Sequence, residues 1–330
     1  IPVHDRLFVY PGNNGNSNIY ISHGGALIVA AGELQSRMAW MGRDGTTRII
    51  SKQPAGFGSP QLSPDASHVA VLLTADGKAD VWTYDFATST LSRLTTVGTV
   101  TWFSWTSDGR NIVYSAPGAN ARSTFSRQIA AGGSPAEILY EASELSPSGT
   151  VSPDGRSIVV MTLHDNTWDL IRVGIDSGKT ASPYVASSIH EMNPSFSPDG
   201  KWIAYQADES GTFEIYVRSY PDPSTKVQIS AGGGGTPQWS ADGSTIYYAT
   251  LDGSIIEAKV SMVPALHVVS RGRAFPRGFI SGSGFGAEFS LSRDGRQMLG
   301  LVGDAADFKL TAVPNWITEF RERVRPAGAK

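Results

Sequence analysis

Four side chains stand out as possible acid–base groups: His164, His190, Glu191 and Glu288. Imidazole and carboxyl groups pass protons at physiological pH when a fold brings them together. In that arrangement they would serve a propeller-type polysaccharide lyase or hydrolase, with Arg122 placed to hold an anionic sugar. His190 and Glu191 are adjacent, and His164 precedes Asp165. No His-Glu-x-x-His motif is present, and one carboxylate at Glu288 with Asn neighbours is a poor metal cage. The Gly-x-Ser-x-Gly nucleophile elbow is absent as well; Gly56-Phe57-Gly58-Ser59 and Ser281-Gly282-Ser283-Gly284 lack its spacing. With no cysteine in the chain, thiolate nucleophiles, disulfides and Cys-held metals are excluded. No metal or cofactor is expected, and the balance favours a binding protein over an enzyme.

Composition narrows the partners. The 330 residues carry a net charge of -3, which marks neither a nucleic-acid binder nor a membrane-surface binder. No apolar run is long enough to span a membrane. The first residue is Ile1 rather than Met, as expected of a matured or excised fragment. Gly (36) and Pro (19) are plentiful, which suits many short strands and tight turns.

The elements that position these groups follow from a repeat. A four-residue turn recurs as Ser63-Pro64-Asp65-Ala66, Thr106-Ser107-Asp108-Gly109, Ser152-Pro153-Asp154-Gly155, Ser197-Pro198-Asp199-Gly200, Ser240-Ala241-Asp242-Gly243 and Ser292-Arg293-Asp294-Gly295. Ser22-His23-Gly24-Gly25 is a weaker first copy. Spacings of roughly 45 residues fit four short strands per unit, the size of a propeller blade. Pro presets φ, Asp bonds nearby backbone N–H groups and Gly supplies positive φ, so the Asp residues are turn scaffold rather than a catalytic array. Apolar strands follow each turn, as in Val69-Ala70-Val71 and Ile203-Ala204-Tyr205. The reading is an all-β, seven-bladed β-propeller of four-stranded antiparallel blades, one domain over residues 1–330, with six blades as the alternative. A strand at 6–10 is expected to close the ring in the last blade, beside strands at 288–290, 297–301 and 308–313. Helical periodicity appears only at 315–324, a short terminal helix.

Alternation along the innermost strand predicts what faces the channel. Two residues before each turn lie Tyr20, Gln61, Ser104, Thr150, Ser195, Gln238 and Ser290, all able to hydrogen-bond and none charged. Four before, on the same face, lie Asn18, Ser59, Trp102, Ser148, Asn193, Thr236 and Glu288. One before lie apolar residues such as Trp105 and Trp239, which pack between blades. The candidate ligand-binding set is therefore Trp102, Glu288, Asn18, Asn193, Tyr20, Gln61, Gln238 and His190. It would take a protein, a peptide or a small polar ligand.

Residues 196–220, FSPDGKWIAYQADESGTFEIYVRSY, closely resemble the Pro-Asp, WD40-like repeat of TolB-type propellers. Residues 38–45, 57–65 and 312–320 extend the likeness to the C-terminal propeller attached to bacterial serine/threonine protein kinases and its stand-alone homologues. Ala66 and the first turn depart from the pattern. The resemblance implies an extracytoplasmic sensor or protein-interaction domain, periplasmic or secreted, engaging partners at the channel mouth. It brings no catalytic residues with it.

Overall fold

The computed structural model describes residues 18–21, 27–31, 35–118, 122–144, 146–176, 179–277, 289–304 and 309–313. They form six four-stranded antiparallel blades and one separate three-stranded sheet. Each blade runs from the axis outward. Blade I comprises Gly56–Leu62, His68–Ala75, Lys78–Asp85 and Thr90–Arg93. Blade II comprises Trp102–Trp105, Asn111–Pro117, Ser123–Ile129 and Glu137–Glu141. Blade III comprises Ser148–Val151, Ser157–His164, Thr167–Gly174 and Ala181–Val185. Blade IV comprises Glu191–Phe196, Trp202–Ala207, Glu214–Ser219 and Lys226–Gln228. Blade V comprises Gly235–Trp239, Thr245–Ala249, Ile255–Ser261 and His267–Phe275.

Blade VI joins the two halves of the chain. Ser290–Leu291 and Gln297–Asp304 supply its inner strands, Gln35–Gly42 and Thr47–Ile49 its outer ones. Gln297 pairs with Gly42 and Asp304 with Gln35, so an eight-residue ladder closes the ring. This corrects the count of seven to six. The Ser22 motif founds no blade among the described residues: Leu27–Ala31 pairs with Asn18–Ile21 on one side and with Lys309–Val313 on the other, in the three-stranded sheet. The strand expected at 308–313 therefore leaves the last blade, and Gln35–Gly42 takes its place. A ring is closed equally well by either arrangement, and only the ladder partners decide it. The expected closing strand at 6–10 and helix at 315–324 lie outside the described residues.

Period-2 alternation divides the core into six layers, one per seam. In blade I, Val69 and Val71 pack toward Met38, Leu299 and Leu301 of blade VI, while Ala70 and Leu72 pack toward Phe103 and Ile112 of blade II. In blade III, Ile158 and Val160 join blade II, while Val159 and Met161 join blade IV. The remaining seams follow the same rule, with Ile215 against Ile246 and Phe275 against Phe289. Each fully buried side chain of this size stabilises by about 1.5–3 kcal/mol.

The turns are built alike. Ser197 Oγ donates to Asp199 Oδ1 (2.6 Å) and accepts the Trp202 N–H (3.0 Å), while Asp199 Oδ1 also takes the Lys201 N–H (3.1 Å). The bonds hold Asp199's equivalents, Asp65, Asp108, Asp154, Asp242 and Asp294, below the usual carboxylate range, the Ser or Thr hydroxyl being the largest cause. Successive turns also interlock: a Cβ on Gly200 would lie 3.4 Å from Pro153 of the preceding turn, and one on Gly109 3.4 Å from Pro64. At Ala66 the same left-handed φ of 59° is held by a residue with a Cβ. Left-handed backbone costs an L-residue about 1–2 kcal/mol, partly offset by the extra freedom of unfolded glycine. Ala66→Gly should raise the melting temperature and Gly200→Ala should lower it. Thermal melts of the two variants check this, and a fall for Ala66→Gly would contradict the turn assignment.

Candidate functional site

The six innermost strands surround an axial cavity of about 420 Å³. Gln61, Ser104, Thr150, Ser195, Gln238 and Ser290, one from each blade, line it, together with Trp102, Ser148, Asn193 and Thr236. Among the described residues no Asp, Glu, Lys, Arg or His contributes to its wall. Three of the six strands carry a bulge at an X-Pro pair: Ser59-Pro60, Asn193-Pro194 and Thr236-Pro237. The first residue of each has positive φ, 48°, 52° and 48°. Pro has no N–H for the ladder, so a strand accommodates it at a bulge. The bulge shifts alternation and re-aims the preceding side chain. Thr236 Oγ1 is buried there without a hydrogen-bond partner.

Several channel groups are occupied by the fold itself. Gln61 Nε2 donates to the Phe103 carbonyl (2.8 Å) and Gln238 Nε2 to the Phe289 carbonyl (2.5 Å), each across a seam. Trp105 and Trp239 each bond the preceding blade through the indole N–H, to the carbonyls of Gln61 (3.1 Å) and Ser195 (3.2 Å). Ser290 Oγ accepts the Leu62 N–H (3.1 Å) at the seam that closes the ring. Asn193 donates to Gln206 Oε1 (3.1 Å), which also takes the Thr236 N–H (2.9 Å). Trp102 lines the cavity but is 5% exposed, its ring 6.2 Å from Phe125, so packing claims most of it.

Two expected channel residues are elsewhere. Asn18 and Tyr20 belong to the three-stranded sheet, because the first turn founds no blade. Glu288 lies outside the described residues, so the carboxylate expected at the channel is not placed.

Of the acid–base candidates, His190 and Glu191 lie where the chain passes from blade III to blade IV, and His164 ends the second strand of blade III. The Trp168 backbone N–H donates to His190 Nδ1 (3.2 Å), and the His190 N–H to Asp208 (2.9 Å). His164 pairs with Glu144 (2.9 Å) and Asp165 (3.4 Å), and these acids raise its pKa, the Glu144 hydrogen bond first. Glu191 is 2% exposed and burial pushes its carboxyl up to about 7. Among the described residues, neither it nor Arg122 lines the axial cavity. Sequence reading missed Asp169, the buried carboxyl beside Glu191. It also missed the seam-bridging role of Trp105 and Trp239. The bulges had a visible signal, a Pro inside each of three strand patterns.

If Gln238 is a seam clamp, Gln238→Met should leave the Phe289 carbonyl unpaired and cost about 1–2 kcal/mol. Chemical denaturation reads this; unchanged stability would free the amide for ligand contact instead.

No known family profile matches the chain. An uncharacterized protein of Agrobacterium fabrum is 27% identical over 107 residues, 32% of this chain and 36% of that relative, so the match spans about a third of the relative's length. Among solved structures, a protein of Agrobacterium tumefaciens assigned to TolB superposes with a TM-score of 0.64 at 20% identity, covering 83% of this chain and 99% of its own. TolB from Acinetobacter baumannii gives 0.54 at 14%, covering 85% and 66%. An oligogalacturonate lyase in complex with manganese gives 0.54 at 13%, covering 91% and 81%. These identities speak for the fold alone: the chain folds as a β-propeller, as those three structures do.

Proposed function

We propose that this chain is a binding propeller whose axial channel takes an uncharged, hydrogen-bonding segment of a partner protein, an extended peptide, in an extracytoplasmic setting. The observation that supports this reading most is that none of the described residues of the cavity wall has a charged side chain. Such a wall repels neither backbone amides nor carbonyls. An anionic polymer would find no cation there to compensate desolvation. Trp102, Trp105 and Trp239 supply apolar faces, while Thr150 and Ser195 supply hydrogen bonds. An interior of about 420 Å³ is in the range of ligand pockets. The fold-level likeness to TolB favours a protein partner by analogy only.

A phage-displayed library of random heptapeptides tests the proposal. Recovered sequences should be poor in Asp, Glu, Lys and Arg at their common core. Binding should fall at least about tenfold in Ser195→Phe and Thr150→Phe, which fill the cavity, while melting temperatures stay near that of the parent. A charged consensus, or binding indifferent to both substitutions, would overturn it.

A further inference from the structure

The seam between blades III and IV breaks the internal repeat at two positions. In blades I and IV the acid near the start of the third strand is fully engaged. Asp80 takes the Arg93 guanidinium (2.5 Å), the Thr95 hydroxyl (2.8 Å) and the Gly98 N–H (3.1 Å). Glu214 takes the Ser230 hydroxyl and the N–H groups of Gly232 and Gly233, both at 2.9 Å. Asp169 has the same register: it pairs with Thr162 as Asp80 pairs with Leu73 and Glu214 with Ala207. Counted from the equivalent pairs Ile171–Pro183, Trp82–Arg93 and Tyr216–Gln228, Tyr184 falls where the other blades have Leu94 and Ile229, and Val185 where they have Thr95 and Ser230. The hydroxyl is displaced to Ser187, and it donates to Glu191 Oε1 instead (2.6 Å). The Ser187 backbone N–H faces Asp169. Glu191 itself stands two residues before the X-Pro bulge, where blades I and V have Phe57 and Gly234.

One seam thus buries two carboxyls that meet at a single serine. Asp169 is 4% and Glu191 2% exposed, and Asp169 Oδ1 and Glu191 Oε2 have no hydrogen-bond partner. Two such groups are not both ionised without a compensating charge. The cations around them are engaged elsewhere. His164 is held by Glu144 and Asp165. Arg218 donates to the Tyr205 hydroxyl and the Pro223 carbonyl, and Lys226 pairs with Glu209. His190 accepts from Trp168, and Asp208 adds another negative charge nearby. Among the described residues no group of three acid or imidazole side chains forms a metal cage.

We propose that Asp169 and Glu191 share one proton, which locks the loop at 186–190 against blade III and so makes the mouth of the channel pH-sensitive. Loss of the proton to solvent leaves two buried negative charges and loosens that loop. Burial raises both carboxyls, and Asp169 raises Glu191 further, to about 7. The sign is opposite to that of an ordinary ion-paired acid. Glu191's folded pKa lies above the ordinary glutamate value of 4.5, so the stabilisation is complete below about 4.5 and is lost as pH rises through about 7. The turn aspartates, whose pKa values are lowered, act in a separate acid window: their contribution is lost as pH falls toward about 2, as for Asp65 and Asp252.

Hydrogen–deuterium exchange on the full chain at pH 5.5 and 8, corrected for intrinsic rates, tests the proposal. Residues 186–190 should open about tenfold more at pH 8, the change that one pK unit of coupling carries. Glu191→Gln should abolish this dependence, and Val185→Thr, which restores the hydroxyl of the repeat, should weaken it. Equal protection of the parent at both pH values would overturn the proposal. So would recovery of protection at pH 8 by calcium chloride in the parent but not in Glu191→Gln, since the pair would then hold a cation. Should Glu191→Gln not fold, difference infrared spectroscopy of the parent decides: a protonated-carboxyl band at pH 6 that disappears at pH 9 is expected, and no such band contradicts the shared proton.

Discussion

Every blade here is apolar on both faces, and no blade can bury both faces without two neighbours. That constraint drives the whole architecture. Val69 and Val71 look one way and Ala70 and Leu72 the other, and the same division recurs around the ring. Only a closed circle satisfies all six seams, so closure is the step on which the core depends. The chain closes it by pairing Gln297–Asp304 with Gln35–Gly42, residues at opposite ends of the sequence. Arg43 reinforces the joint: it bonds the Gly295 carbonyl (3.1 Å) and Glu257 (2.8 Å), tying the N-terminal strand pair to blades V and VI.

Closure also sets the channel. With six inner strands the axis is narrow enough for Gln61 and Gln238 to reach the next blade's backbone, and wide enough to leave a cavity. The same polar ring therefore serves two ends. Part of it holds the seams together, and Thr150 and Ser195 face the interior. The X-Pro bulges enlarge this second share by removing inner-strand residues from the ladder.

Much of this was legible in the sequence because a turn repeat is local. Ser, Asp and Gly at fixed offsets located each hairpin, and alternation from there named the polar ring from Gln61 to Ser290. The blade count was not legible, because Ser22-His23-Gly24-Gly25 looks like a turn whatever its strands pair with. Pairing is a long-range property; nothing local distinguishes Leu27–Ala31 bound to Lys309–Val313 from the second strand of a blade. The acid cluster failed in a similar way. His190 and Glu191 were visible as adjacent polar residues, but Asp169 reads as an ordinary strand acid, like Asp80. Only the register, with Val185 in place of Thr95, shows that it lacks the usual partners.

The central claim is ring closure by the N-terminal strand pair, since the seams, the channel width and its neutral wall all follow from it. Backbone amide exchange of the intact chain measures it directly. Amides of residues 35–42 are predicted to exchange as slowly as those of residues 297–304, in step with the second strands of blades I to V. Exchange in residues 35–42 that is orders of magnitude faster than in 297–304 would show that this ladder does not hold the ring.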